Sequence, residues 1–344
     1  MKFPLSNPFT EDLAIDLGTV HTFVYAPGRG MVVNEPSLVA VDKISGDVVA
    51  VGNEALEMLG RSPEDVEVAY PMREGVVADS DLAQKLLARF MRKARGGLAR
   101  FSRRVIMAVP SSITSVERFA VRDVVKGIGV ARVYLVDEGM AAAIGVKLQV
   151  TGGQASMVVD IGGGTTSIAV IANSGIIHAE NVRIGGLDMD IAITEYVKQQ
   201  YRILIGERTA ERLKMEIGSA TTPPEERKSV IKGQSLVEGR PATTEVTNFD
   251  IHRAINSVVK QMVDSVRSVL EVIPPEAAGD IHDRGIILTG GISLLAGMDS
   301  RIRSASGITV SVAESPRQSV GRGAIALFDQ PLLLRRIARN VSLS

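Results

Sequence analysis

The chain has 344 residues, with 39 Lys plus Arg against 39 Asp plus Glu, a formal charge of zero, and 45% hydrophobic residues. That length suits about two domains, each able to bury its own core. The composition excludes a disordered or collagen-like chain and any global field toward nucleic acid, while the absence of cysteine excludes disulfides, thiolate nucleophiles, iron–sulfur clusters and thiolate zinc sites, as suits a cytoplasmic protein.

The first residues, Met1 to Thr10, carry two prolines and no apolar core, and no run approaches the roughly 18 residues of a membrane span, so neither a signal peptide nor a spanning helix is expected. Leu13 to Tyr25 (LAIDLGTVHTFVY) reads as an apolar strand closing on Asp16, a Leu17-Gly18-Thr19 turn and a second strand. Asp81 to Arg95 has a helical apolar stripe at Leu82, Leu86, Leu87, Phe90 and Met91, stopped by Gly96-Gly97. Thr114 and Glu117 form a capping box that opens a helix to Lys126, and Met140 to Val146 reads as another helix. Met157 to Ile171 (MVVDIGGGTTSIAVI) repeats the strand–turn–strand pattern, with Asp160 following Asp16 by 144 positions. A repeat at domain spacing points to an internal duplication.

Asp188 to Gln200 is expected to be helical, and Thr221 to Glu226 (TTPPEE) is a polar break. Ser229 to Val237 and Ala242 to Thr247 form a hairpin through Glu238-Gly239-Arg240-Pro241, and a helix from Phe249 to Val272 ends at Pro274-Pro275. Gly285 to Met298 (GIILTGGISLLAGM) is a buried strand, a Gly290-Gly291 turn and an amphipathic run that reads as a helix; Leu332 to Arg339 reads as an amphipathic terminal helix. Strands followed by helices, twice over, argue for an α/β protein whose two halves face each other.

A turn rich in Gly and Thr exposes consecutive backbone N–H groups, a nest for phosphate oxygens to which threonine hydroxyls add donors. Two such nests across a cleft would clamp a polyphosphate. Asp16 and Asp160 would then share the cleft, where a hydrated Mg²⁺ relieves their repulsion. The alternative for either hairpin alone is a tight turn whose Asp caps its own backbone. No G-x-x-x-x-G-K-[ST] run is present, Gly162-Gly163-Gly164 lacks the Rossmann spacing, and the four histidines lie far apart, so the site is neither a P-loop, a dinucleotide fold nor a histidine metal centre.

Asp16-Leu17-Gly18-Thr19, Asp160-Ile161-Gly162-Gly163-Gly164-Thr165-Thr166 and Leu288-Thr289-Gly290-Gly291, in this order, resemble the actin, heat-shock chaperone and sugar kinase superfamily. Val136 to Gly145, Ile205 to Lys214 and Glu216 to Ala220 resemble the MreB family of bacterial actin homologues within it. The resemblance implies an α/β actin-like ATPase fold, with two duplicated ribonuclease H-like halves facing across a nucleotide cleft. One half would be residues 1–140 plus 315–344 with a small lobe near 33–68; the other would be 141–314 with a small lobe near 183–250. It implies ATP and Mg²⁺ as ligands, ATP hydrolysis that the departures named below would make slow, self-association into filaments, and a cytoplasmic location at the inner face of the membrane alongside membrane-bound cell-shape and wall-synthesis proteins, with no role for nucleic acid.

By the same resemblance Asp16 and Asp160 lie around the Mg²⁺, and Gly18, Thr19, Gly162, Gly163, Gly164 and Thr165 hold phosphates. Glu138 orients the attacking water, with Thr165 beside it. Glu211 and Lys214 border the ribose and base, and Gly290 and Gly291 pass beneath the adenine. An ordinary reading of Glu138 is a helix-start carboxylate, and of Glu211 and Lys214 a solvated i, i+3 pair. Four positions depart from the family pattern. Gly139 replaces a proline, which suggests looser water positioning; Ser167 replaces a Glu; Leu187 replaces an Asp, although Asp190 keeps its place; and Ile292 replaces a glycine.

Arg89, Arg92, Lys93, Arg95, Arg100, Arg103 and Arg104 flank a glycine turn carrying Leu98 and Phe101. That pattern suits an anchor on anionic lipid, or equally a helix end followed by a buried edge strand. Phe3, Leu5 and Phe9 are a weaker anchor. Two other functions fit the residues: a small-molecule kinase of the superfamily, and a nucleotide-binding scaffold without hydrolysis. A chaperone would need a peptide-binding domain for which no residues remain.

Overall fold

The structure, a computed structural model, describes residues 10–95 and 101–341. β1 (Thr10–Leu17) turns back into β2 (His21–Ala26) and then β3 (Gly30–Pro36), an antiparallel meander. A small antiparallel sheet follows, β4 (Val39–Asp42) flanked by β5 (Val48–Val51) and β6 (Val66–Ala69). With α1 (Asn53–Met58) it closes over its own core of Leu38, Ala40, Ala50, Ala55 and Val66. After the short hairpin β7 (Met72–Arg73) and β8 (Val76–Val77), α2 (Ser80–Ala94) starts where Asp79 accepts from the Leu82 N–H at 3.0 Å and buries Leu86, Leu87, Phe90 and Met91 of the expected stripe, with Leu82 half-buried. β9 (Phe101–Val109), α3 (Ser115–Lys126), with both bonds of the Thr114–Glu117 capping box, and β10 (Val130–Asp137) complete this part. β9 pairs in parallel with both β1 and β10, so it is an interior strand and not the edge strand considered above.

α4 (Glu138–Gly145) leads to a second meander: β11 (Ser156–Ile161), β12 (Thr166–Ala172) and β13 (Gly175–Val182). α5 (Gly186–Tyr201), β14 (Ile203–Leu204), α6 (Glu207–Ile217), and the hairpin of β15 (Lys228–Ser235) and β16 (Pro241–Thr247) follow. α7 (Asn248–Val272) and α8 (Pro275–Arg284) lead to β17 (Ile286–Thr289), α9 (Met298–Ser306) and β18 (Val310–Val312). α10 (Ser319–Ala326) and α11 (Pro331–Ile337) bring the chain back, and β19 (Arg339–Val341) pairs with β10. The run after Gly291 is not one helix. Gly291–Leu294 is a 3-10 turn, and Gly297 at φ 74° starts α9 afresh.

The duplication is visible bond by bond. The large sheets run β3-β2-β1-β9-β10, extended by β19, and β13-β12-β11-β17-β18. In each, the first strand pairs antiparallel with the second and parallel with a later strand. The Gly18 N–H donates to the His21 carbonyl at 3.1 Å, and 144 residues on the Gly162 N–H donates to the Thr165 carbonyl at 2.8 Å. α4 packs on β11 and β12, α10 packs on β1, β2 and β9, and the two helices pack on each other. Gly145 and Gly323 make that crossing close, since a Cβ on either would overlap backbone oxygen of the opposite helix. One apolar core, with Ala14 and Ile106 from the first sheet and Val158 and Ile171 from the second, runs through this junction.

Candidate active site

The two hairpin turns meet face to face. A Cβ on Gly163 would overlap the Val20 side chain, and one on Gly164 would lie 2.5 Å from Thr19 Oγ1, so only glycine lets the second turn approach the first. The Thr19 hydroxyl also accepts from the Gly75 N–H at 2.9 Å, which ties the β7–β8 hairpin to the turn. Behind the second turn, the Gly186 and Leu187 N–H groups at the start of α5 donate to the Gly162 and Gly163 carbonyls at 3.0 and 2.8 Å. The turn is thereby held from both sides.

Between the turns lies a cavity of about 530 Å³. It collects Asp16, Gly18 and Thr19 from the first hairpin and Asp160, Gly162, Gly163, Gly164 and Thr165 from the second. Glu138 from α4, Glu211 and Lys214 from α6, and Gly290 and Gly291 after β17 complete the lining. Gly290 has φ 81° and presses on the Ile161 backbone, a position closed to any side chain. Ile292 is outside the positive-φ residues, so its branched side chain is unstrained and packs in the core of the second half.

Three carboxylates crowd the deep end. Burial, and then the neighbouring Asp160, push Asp16 up to about 7, and burial raises Asp160 to about 6 even though Thr289 Oγ1 donates to its Oδ1 at 2.6 Å. Glu138 is held well above the usual carboxylate range, mainly by burial and then by Asp16, Asp160 and Asp137. Ser167 Oγ donates to Glu138 Oε2 at 3.2 Å, the one hydrogen bond acting the other way. Gly139 is buried, and a Cβ there would overlap the Ala169 methyl, so the glycine seats α4 flush on β12. The glycine at the position of the family's proline serves this close packing.

At the outer end Lys214 corrects the reading of a solvated pair with Glu211. It is 7% exposed and donates from Nζ to Asp190 Oδ2 at 2.6 Å and to the Gly186 carbonyl at 2.9 Å. Burial raises Asp190 to about 6, with Lys214 opposing. His21, Arg317, Tyr70 and Gly75 also line the cavity and were not anticipated. The 144-residue offset could have found His21, which falls on Thr165. Burial, and then Arg317, lower His21 to about 4, so its imidazole is neutral at pH 7.

Leu98 lies outside the described residues, and Phe101 is described only as backbone at the start of β9. Arg100 lies outside the described residues and Arg103 is described only as backbone; the described cations of the cluster divide between inward and exposed positions. Arg104 pairs with Asp12 at 2.5 Å and lies 4.9 Å from the Phe328 ring centre, Arg95 donates to the Ile128 carbonyl, and Lys93 reaches Glu35 at 2.5 Å. Arg89 and Arg92 are exposed. Among the described residues no helix is long and apolar enough to cross a membrane.

Comparison with known proteins agrees with this geometry. The family model for MreB/Mbl protein matches residues 10–335. The chain is 44% identical over 320 residues to the cell shape-determining protein MreB of Escherichia coli, covering 92% of each, and 39% identical over 323 residues to Mbl of Bacillus subtilis, covering 93% of this chain and 96% of the relative. Its fold matches the crystal structure of MreB5 of Spiroplasma citri bound to ADP with a TM-score of 0.89 and 30% identity, over 96% of this chain and 99% of that one. The MamK double helical filament matches in fold at a TM-score of 0.76 and 20% identity, over 92% and 99% of the two chains. The chain therefore belongs to the MreB/Mbl family of actin-like cytoskeletal proteins.

Proposed function

We propose that this protein binds ATP with Mg²⁺ between its two halves, hydrolyses it slowly and assembles into filaments at the inner face of the cytoplasmic membrane. There it would act with membrane-bound cell-shape and wall-synthesis proteins. The observation that carries the reading is the pair of interlocked hairpins over one cavity with three enclosed carboxylates. The solved structures of Spiroplasma citri MreB5 with ADP and with AMPPNP support a nucleotide as occupant. The two halves, 1–140 with 315–344 and 141–314, would move as units about the α4–α10 crossing.

The donor set fits Mg²⁺: it is all oxygen, and Asp16 near 7 and Asp160 near 6 are carboxylates whose ionised forms lack a cation. No three acidic or histidine side chains among the described residues form a metal-holding group by themselves. Asp16 and Asp160 would thus hold the ion through water and phosphate oxygens. When bound, the ion supplies neutralisation of charge on the transferring phosphoryl group.

The chain's own residues do the rest. The Gly18 and Gly162 N–H groups close their turns, which leaves the following amides, of Thr19 and Val20 and of Gly163 and Gly164, to donate to phosphate oxygens with the Thr165 hydroxyl. Lys214 and Glu211 border the sugar and base. Glu138 accepts a hydrogen bond from the attacking water and aligns it with the γ-phosphorus; the new P–O bond forms as the bond to the bridging oxygen of ADP breaks, and the proton the water sheds ends on the released phosphate. Leu98 and Phe101, with Arg89 and Arg92, would make the lipid contact.

Sedimentation with and without anionic liposomes, with ATP, ADP or no nucleotide, alongside phosphate release, tests the proposal. Expected is ATP-dependent pelleting enhanced by lipid, with the lipid gain lost in the Leu98→Asp/Phe101→Asp variant. Protein that stays in the supernatant in every nucleotide and lipid condition would overturn it.

A further inference from the structure

A row of polar side chains crosses the second large sheet beneath the cleft. Thr289 of β17 lies opposite Asp160 of β11, Asp160 opposite Ser167 of β12, and Ser167 opposite Asn181 of β13. Directly opposed residues on neighbouring strands share a face. The row is wired in two pieces. Thr289 Oγ1 donates to Asp160 Oδ1 at 2.6 Å; Asn181 Nδ2 donates to Ser167 Oγ at 2.7 Å, and Ser167 Oγ donates to Glu138 Oε2 at 3.2 Å.

The first half carries the same architecture without this wiring. There Asp16 lies opposite Phe23, and Phe23 opposite Asn34. Phe23 is the 144-residue counterpart of Ser167, and its ring stacks on His21 at 5.7 Å. One copy of the duplicated hairpin thus holds a ring where the other holds a hydroxyl aimed at the carboxylate of α4.

We propose that Asn181 and Ser167 are positioning residues for hydrolysis, a relay that fixes the Glu138 carboxylate toward the γ-phosphate; this rests on the ATPase reading above. A serine hydroxyl has one proton to give. The Asn181 amide occupies its oxygen as a donor, so that proton is directed to Glu138, and the acceptor Glu138 keeps its remaining lone pairs for water. Ser167 is 2% exposed, which shields this bond from solvent competition. Gly139 against Ala169, two residues along the same face of β12, brings α4 close enough for the bond to form.

The test is single-turnover phosphate release with nucleotide affinity measured in parallel on the full chain. Ser167→Ala is expected to slow release about 3- to 10-fold, the range for losing one ordinary hydrogen bond, with affinity unchanged. Ser167→Thr, which keeps the hydroxyl, should recover most of the rate. Asn181→Asp, near-isosteric but now competing for the serine proton, should slow release without loss of affinity. In a Glu138→Ala background the residual rate should not respond to Ser167→Ala. Wild-type release in Ser167→Ala, or an equal slowing with and without Glu138, overturns the relay while leaving the ATPase reading intact. A wild-type chain that binds ATP and releases no phosphate overturns both.

Discussion

Gly139→Ala puts the closest packing in the cleft under test. Its Cβ would fall well inside 3.0 Å of the Ala169 methyl, closer than real Cβ atoms come. Ordinary carbon contact near 3.5–4.0 Å then requires the start of α4 to lift by about 1 Å. Replacing a helical glycine by alanine returns up to about 1 kcal/mol, and overpacking costs about 1–3 kcal/mol. The net destabilisation is therefore about 0–2 kcal/mol. The kinetic effect is larger. The Ser167–Glu138 bond is already 3.2 Å long, a shift of about 1 Å takes it out of hydrogen-bond range, and a misplacement of that size can slow a positioned reaction about a hundredfold. Chemical denaturation and single-turnover phosphate release measure the two effects separately. The double variant Gly139→Ala/Ala169→Gly removes the obstructing methyl and should restore the rate. Full activity in Gly139→Ala, or a double variant as slow as the single, would refute the claim that α4 is seated by this contact.

Asp16, Asp160 and Asp190 have native pKa values of about 7, 6 and 6 against 3.8 for the unfolded chain. The native state therefore holds protons that the unfolded state has lost, and stability of the nucleotide-free protein should fall by a few kcal/mol from about pH 4 to pH 7. Thermal melts across that range should show this slope, flatter in Asp16→Asn and reduced by Mg²⁺ with ATP. Gly323→Ala puts a Cβ into the Ala141 carbonyl oxygen, which cannot yield, so a loss of about 3 kcal/mol or more is expected on denaturation. Arg183, 57% exposed, pairs with Glu74 at 3.2 Å and Glu117 at 3.1 Å. Arg183→Ala should cost no more than about 1 kcal/mol, a difference that shrinks in high salt.

What could be read from the chain was what neighbouring residues determine. Each glycine-rich hairpin is a local strand–turn–strand, so both could be located from the chain, and the 144-residue echo of Asp16 in Asp160 exposed the duplication. The Thr114–Glu117 box is local too. Side chains defined by distant partners stayed hidden. Lys214 looked like half of an i, i+3 pair until Asp190, 24 residues away, took its ammonium. Arg104 looked like part of a lipid-facing cluster, but Asp12 and Phe328 draw it inward. Ser167 was visible only as a departure from a family pattern, because its hydrogen bonds to Asn181 and Glu138 depend on the pairing of β12 with β13 and on the approach of α4. Gly139 suggested flexibility, since a sequence cannot reveal that a methyl waits opposite.

The most direct test of the central claim, that the interlocked hairpins bind a nucleoside triphosphate, is calorimetric titration of the full chain with ATP, with and without Mg²⁺, beside a Gly163→Val variant. One saturable site is expected, strengthened by Mg²⁺ and lost in the variant, whose new side chain would occupy the space of Val20. Absence of binding in the wild type, or unaltered binding by a folded Gly163→Val protein, would contradict it.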